Sequence, residues 1–314
     1  MSCSLNWQSP PNLVARLKRW AERPSVRLMS GLPDDPLVSP AWLNERLDAP
    51  DIRVIDATWF MPNDARDAKA LYAERRIPGA IFFDIDEIAD TTSDLPHMLP
   101  PPEKFASRMK KAGVGDGTRV VIYDNHGLMS AARVWWTFRV FGHEDVAVLD
   151  GGFPAWERAG YEIETGSPRP RMERHFTPRV RNDLVRALSD VQRAIDGGNR
   201  TPILDARAAP RFKGEAPEPR AGLRSGHMPG ALNVPFGALL NADGTMKTTN
   251  ELKQIFEAAG LKGNAAPICS CGSGITAAVI ALALARTGRW DAAVYDGSWA
   301  EWGGHPETAV VTGN

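Results

Sequence analysis

Cysteine is scarce in this chain: three residues among 314, at positions 3, 269 and 271. Cys269 and Cys271 stand too close together for a relaxed structural bridge, and Cys3 lies in the N-terminal tail. A disulfide framework is therefore excluded, and a reducing compartment is expected. Neither sign of charge dominates. Thirty-seven Lys and Arg oppose 38 Asp and Glu, a formal net charge of -1, which offers no bulk attraction for nucleic acid or an anionic membrane. Long apolar runs are missing too. The longest, Ile275 to Ala285, is too short to span a bilayer and reads as a buried core helix. Histidine is rare, and His126, His143, His175, His227 and His305 show no ligand spacing. The Cys-x-Cys of 269 and 271 has no further ligands nearby, so no metal is expected and Cys269 reads as core.

What is present is an ordinary globular composition, 43% hydrophobic and 24% charged, on a length that suits two domains. The strongest organisational signal is an internal repeat. Ser39-Pro40-Ala41-Trp42-Leu43 reads as a capping Ser with Pro in the first helical turn, and Ser189-Asp190-Val191 opens a similar amphipathic helix. Arg53-Val54-Ile55-Asp56-Ala57 matches Pro202-Ile203-Leu204-Asp205-Ala206, and Ile77-Pro78-Gly79-Ala80 matches Met228-Pro229-Gly230-Ala231. Val120 to Asp124 matches Ala266 to Cys271, and Val148-Leu149-Asp150-Gly151-Gly152 matches Val294-Tyr295-Asp296-Gly297-Ser298. Asp56 and Asp205, Pro78 and Pro229, Asp124 and Cys271, and Asp150 and Asp296 lie 149, 151, 147 and 146 residues apart. Chance matches would scatter, so the chain reads as a tandem duplication.

Within each copy, apolar runs of four or five residues alternate with helical patterns, as in a parallel sheet covered on both faces. The expected class is α/β, with two tandem domains of this kind. The expected boundaries are a basic extension over 1–35, copies over 36–160 and 182–310, and a Pro- and Arg-rich surface linker over 161–181. In the extension, Arg16, Lys18, Arg19, Arg23 and Arg27 face one acid, Glu22. Three readings of it stand: a disordered tail, an upstream start with Met29 as the true beginning, or an organellar transit peptide. The expected location is the cytoplasm, or the mitochondrion on the last of these.

In an open parallel sheet, ligands bind beyond the carboxyl ends of the strands. Cys271 stands there, between an expected strand, Ala266 to Ser270, and an expected helix, Ile275 to Thr287, stopped by Gly288. The glycines of the intervening Cys271-Gly272-Ser273-Gly274-Ile275-Thr276 loop allow a tight turn that aims several N–H groups at one sulfur. The helix N-terminus adds positive partial charge. Both favour thiolate, as a nucleophilic cysteine requires; an inert buried cysteine opening a helix is the alternative.

At these residues the chain resembles a known family. Cys271-Gly272-Ser273-Gly274-Ile275-Thr276 is similar to the active loop of 3-mercaptopyruvate sulfurtransferases, within the tandem rhodanese family. Tyr123-Asp124, Arg133-Val134-Trp135-Trp136, Leu149 to Gly152, Asp205-Ala206-Arg207, Gly226 to Gly230 and Tyr295 to Trp299 extend the resemblance from about Val38 to Trp302. It implies two rhodanese-like domains, the first catalytically silent, in agreement with Asp124 at the place of Cys271. It implies Cys271 as the sulfur-accepting nucleophile and Ser273 as a proton-handling serine. Arg211 and Arg220 would hold a substrate carboxylate, Asp86 and His97 would complete a relay with Ser273, and Gly272, Gly274 and Thr276 would bind substrate within the loop. No cofactor is implied. The donor would be 3-mercaptopyruvate, and the acceptor cyanide, a small thiol or a reduced thioredoxin-like protein.

The nearest alternative is thiosulfate as donor. Rhodaneses that prefer this compact dianion carry basic residues inside the active loop, and Gly272, Ser273 and Gly274 supply none. Phosphatase chemistry would need an arginine closing the loop, where Ala277 and Ala278 stand. A non-enzymatic sulfide-carrier or regulatory module is the third alternative, opposed by the presence of Cys271. With Cys271 as the nucleophile, Cys271→Ser abolishes sulfur transfer and leaves the fold intact, while Cys269→Ser and Cys3→Ser keep most activity. Turnover of either donor by Cys271→Ser in a steady-state assay would refute the assignment.

Overall fold

The computed structural model describes residues 32–313 apart from 62, 63, 169 and 199. Cys3, Met29 and the basic cluster over 16–27 lie outside the described residues. The described residues begin at Leu32. Leu32 packs against the core of the first copy, and the Asp35 carboxylate accepts the Leu37 N–H at 3.0 Å.

The first copy contains β1 (Leu37–Val38), α1 (Pro40–Arg46), β2 (Ile52–Asp56), α2 (Ala68–Glu74), β3 (Ile81–Phe82), α3 (Ile85–Ile88), α4 (Pro102–Lys111), β4 (Arg119–Tyr123), α5 (Ser130–Val140), β5 (Val146–Leu149) and α6 (Gly152–Arg158). The second contains β6 (Val185–Arg186), α7 (Leu188–Asp196), β7 (Ile203–Asp205), α8 (Ala209–Lys213), β8 (Leu232–Asn233), α9 (Thr249–Ala258), β9 (Ile268–Ser270), α10 (Ala277–Arg286), β10 (Ala293–Tyr295) and α11 (Ser298–Trp302). Both sheets are five-stranded and parallel, in the orders β1-β5-β4-β2-β3 and β6-β10-β9-β7-β8. The second order repeats the first strand for strand.

Side-chain alternation explains the apolar runs. Along β4, Val120 and Ile122 enter one core, while Val121 and Tyr123 enter another. Leu204, Cys269 and Val294 join that same first core from the second sheet, and Ile203, Ile268 and Tyr295 face a third. Each sheet is buried on both faces, and the middle core belongs to both copies. Its centre is the packing of α5 against α10. Every residue of α5 is buried, as are the first nine of α10. Bulky Trp135, Trp136 and Phe138 on α5 are complemented by five alanines along α10, a volume match that lets two helices share one dense core. Arg139 of α5 lies over the rings of both Trp135 and Trp290, 4.9 and 5.0 Å from their centroids, tying the copies together at the far end of the helix. No helix of the described residues is long and apolar enough to cross a membrane.

Local signals behave as the residues dictate. Ser39 caps α1, accepting the Trp42 N–H. The two Pro-Gly turns are alike: Gly79 and Gly230 have φ of 73° and 72°, and Ala80 and Ala231 donate back across the turn. The start of α7 differs from expectation. Ser189 lies inside the helix, because Asp190 reaches back to the Ala187 N–H at 2.8 Å and sets the start one residue earlier. Strand β9 is shorter than its apolar run, and α10 begins at Ala277 rather than Ile275, so Ile275 and Thr276 belong to the active loop.

The loop before α5 shows what such a loop holds. Asp124 is fully buried, and its carboxylate accepts N–H groups of His126, Met129 and Ala131 at 2.9, 2.7 and 2.8 Å. It caps α5 from five residues away and satisfies amides that the helix leaves free. Asp124→Ala leaves three amide donors without their acceptor, that of Ala131 fully buried, and is expected to cost about 2–4 kcal/mol of stability. The urea midpoint at constant m-value reports it; a variant within about 0.5 kcal/mol of the parent would show these amides find other partners.

Candidate active site

Cys271 follows β9 directly and is 2% exposed. Its backbone is fixed on both sides. Its N–H donates to the Ser298 hydroxyl at 3.2 Å, and its carbonyl accepts the Trp299 N–H at 3.0 Å. Ser298 in turn donates to the Tyr295 carbonyl and adopts a positive φ of 49°. The backbone N–H groups from Gly272 to Thr276 donate to no acceptor among the described residues. Cys269, two residues upstream, faces the shared core, where burial pushes its thiol pKa well up and leaves it inert.

Two segments of the second copy approach the loop. Arg211, in α8, reaches Gly272 closely enough that an added Cβ there would lie 3.2 Å from its Nη2. The fork of Arg211 is not wholly free. Its Nε and Nη2 donate to Glu218 at 3.3 and 2.5 Å. Glu218 is buried and also takes Arg207, whose guanidinium forks onto Asp205. Burial alone would lower the Arg207 pKa; Asp205 and Glu218 outweigh it and hold it above the ordinary value. Glu218 thus takes two of the five N–H donors of Arg211, one on Nε and one on Nη2. Arg220 is half-buried. Burial lowers its pKa, against the opposing pull of Cys271 and Asp86.

From the first copy comes the loop carrying His97. Its Nδ1 lies 2.8 Å from Asp86 Oδ1, and Asp86 Oδ2 accepts the Trp59 indole N–H at 3.0 Å. The hydrogen bond with His97 holds the Asp86 carboxyl below the usual range. His97 Nε2 faces Arg220 Nη2 at 3.2 Å. In the tautomer with its proton on Nδ1, towards Asp86, Nε2 is left to accept from Arg220. Asp86, His97 and Arg220 therefore form one chain. Ser273, buried in the loop, makes no hydrogen bond with either His97 or Asp86 among the described residues; Arg220 stands at His97 Nε2, the place the relay would give to Ser273.

Arg133 crosses from the first copy to the second. It donates to the carbonyls of His97 and Gly274 and pairs with Asp296 at 2.7 Å. Asp296 also accepts the Leu99 N–H at 2.7 Å. Gly274 has φ of +78°, and an added Cβ would lie 2.8 Å from Arg133 Nη1, so only glycine fits. The sequence singled out neither Glu218, Ser298, Asp296 nor Arg133 for a role. Ser298 and Arg133 had a signal: the first breaks the Gly-Gly of the other copy, and the second stood in a run already noted. Nothing local marks Glu218, whose partners come from other turns of the chain.

Glu218→Ala leaves Arg207 and Arg211 short of a buried counter-charge. It is expected to cost about 3–5 kcal/mol of stability, read as a fall in the urea midpoint. A loss under about 1 kcal/mol would mean that the pair contributes no more than a surface contact.

The rhodanese-like domain model matches residues 39–159 and 187–305. The 3-mercaptopyruvate sulfurtransferase of Escherichia coli K12 is 44% identical over 86% of this chain and 95% of its own. Thiosulfate/3-mercaptopyruvate sulfurtransferase 2 of Arabidopsis thaliana is 40% identical, covering 88% and 87% of the two chains. The crystal structure of SseA, a 3-mercaptopyruvate sulfotransferase from Escherichia coli, superposes with a TM-score of 0.77 at 42% identity, over 84% of this chain and 99% of that one. With two copies of the domain arranged around one buried cysteine, this chain belongs to the rhodanese family, in its tandem-domain form.

Proposed function

We propose that the protein is a sulfurtransferase that takes sulfur from 3-mercaptopyruvate through a persulfide on Cys271. One observation carries the donor choice: the loop around Cys271 is uncharged, while Arg211 and Arg220 approach it from a separate segment. A carboxylate held there stands a few bonds from the sulfur to be transferred. A compact dianion would need its cation beside that sulfur.

In the first half-reaction the Cys271 thiolate attacks the thiol sulfur of the donor. An S–S bond forms and the C–S bond breaks. Its electron pair leaves on carbon as the enolate of pyruvate, which the adjacent carbonyl stabilises, and a proton then gives pyruvate. The outer sulfur keeps the donor thiol's hydrogen as a persulfide. The Asp124 carboxylate supports the role of the loop amides, because the corresponding loop already satisfies an anion. In the second half-reaction a thiophilic acceptor (cyanide, a small thiol or a reduced thioredoxin-like protein) takes the outer sulfur and regenerates the thiolate. Gly272, Gly274 and Thr276 hold the substrate through this loop. Engagement of Arg220 by the donor carboxylate withdraws it from His97 Nε2, leaving that nitrogen for proton transfer with Ser273 while Asp86 orients the ring.

In this reading residues 36–160 form the silent domain, 182–310 the catalytic domain and 161–181 the linker. The reaction belongs in the cytoplasm, or in the mitochondrion should residues 1–35 serve as a transit peptide. The second reading, thiosulfate as donor, draws support from the Arabidopsis relative, whose name carries both donors.

The test is kcat/KM for pyruvate release from 3-mercaptopyruvate and for thiocyanate from thiosulfate. Arg220→Ala and Arg211→Ala each lose a charge-assisted contact of about 1.5–3 kcal/mol, or roughly 10- to 150-fold in kcat/KM for 3-mercaptopyruvate. A cation introduced at Gly272 or Ser273 shifts preference toward thiosulfate. A parent enzyme preferring thiosulfate, or two Ala variants like the parent, would replace this donor with the second reading.

A further inference from the structure

We propose that Arg133, supplied by the copy without a cysteine, is a positioning residue for sulfur transfer that aligns the Cys271 loop with His97. The inference rests on Cys271 as the sulfur acceptor and is independent of the donor. Arg133 lies in the first turn of α5 and is 3% exposed. Its guanidinium is spent on three groups from three segments. Nη1 donates to the Gly274 carbonyl at 3.3 Å and pairs with Asp296 Oδ1 at 2.7 Å, and Nη2 donates to the His97 carbonyl. Its plane lies over Trp136, 4.5 Å from the centroid, which fixes its direction.

Two of those groups are backbone carbonyls on opposite sides of the site. Gly274 belongs to the loop that follows Cys271. His97 belongs to the other copy and stands at φ of 62°, a left-handed conformation that a side chain adopts only at a cost and that surrounding contacts must hold. One rigid, planar cation therefore sets the distance between the nucleophile's loop and the imidazole. Asp296 locks the joint from the other side, its second oxygen taking the Leu99 N–H two residues beyond His97. A lysine could carry the charge but could not bridge three acceptors in these directions. Were Arg133 only a stabilising ion pair, its removal would lower stability without a specific loss in turnover.

The experiment is steady-state kinetics of Arg133→Ala and Arg133→Lys, with thermal unfolding in parallel and with added guanidinium ion. A misplacement of this kind is expected to lower kcat about 30- to 100-fold in Arg133→Ala, with both donors alike and with KM within about threefold of the parent. Millimolar guanidinium restores at least about tenfold of that loss, and ammonium at the same ionic strength does not. Should Arg133→Ala fail to fold, Arg133→Lys carries the test, with kcat lowered about tenfold in a folded protein. Parental kcat in a folded variant, or a loss in folded Arg133→Ala that guanidinium leaves untouched, would overturn the proposal. The assignment of Cys271 stands or falls separately, on Cys271→Ser.

Discussion

The Arg133–Asp296 ion pair joins the two copies at the point where their chemistry meets. Both partners are buried, so the pair's attraction is set against the large cost of taking two charges out of water. Stability alone would be served as well by apolar side chains, and the middle core around α5 and α10 already supplies apolar burial generously. What apolar contact cannot supply is direction. The pair and the three backbone groups around it fix where the 271–276 loop lies relative to the loop carrying His97. Everything else at the site is placed from that joint: the imidazole between Asp86 and Arg220, and the glycine that must stand at 274.

Duplication gave the protein two versions of one loop, and their divergence follows from what each encloses. In the first copy a fixed carboxylate, Asp124, satisfies the amides and caps the helix. In the second, a cysteine stands at that place and the amides remain without a partner among the described residues. The first loop is closed by its own carboxylate, whereas the second contains none. The strand ends diverge in the same manner. Asp56 is answered by the hydroxyl of Thr58, and its burial raises its pKa to about 6. Asp205 is answered by Arg207 and begins a chain of charges through Glu218 to Arg211. That chain pairs its two arginines with two carboxylates, so the second copy does not present them as free cations.

The amino-acid sequence by itself determined a good deal. The spacing of matched landmarks fixed the duplication, and the short apolar runs fixed a parallel sheet in each copy, because β4 and β9 bury alternate side chains in different cores. The turn glycines and the Ser39 cap were legible because their physics is local. The setting of Cys271 was legible because a strand, a tight loop and a helix N-terminus succeed one another along the chain. Arg211, Arg220, Asp86 and His97 were reached through resemblance rather than spacing.

The tertiary structure decided the rest. No local pattern announces that Glu218 will occupy two arms of Arg211, that Arg220 will face His97 Nε2, or that Asp296 will meet Leu99 across 197 positions of sequence. These are contacts between segments whose separation in the chain carries no information about their distance in space. The packing of α5 on α10 joins the two copies, and a helix's sequence records which of its faces are apolar without naming the face that will cover them.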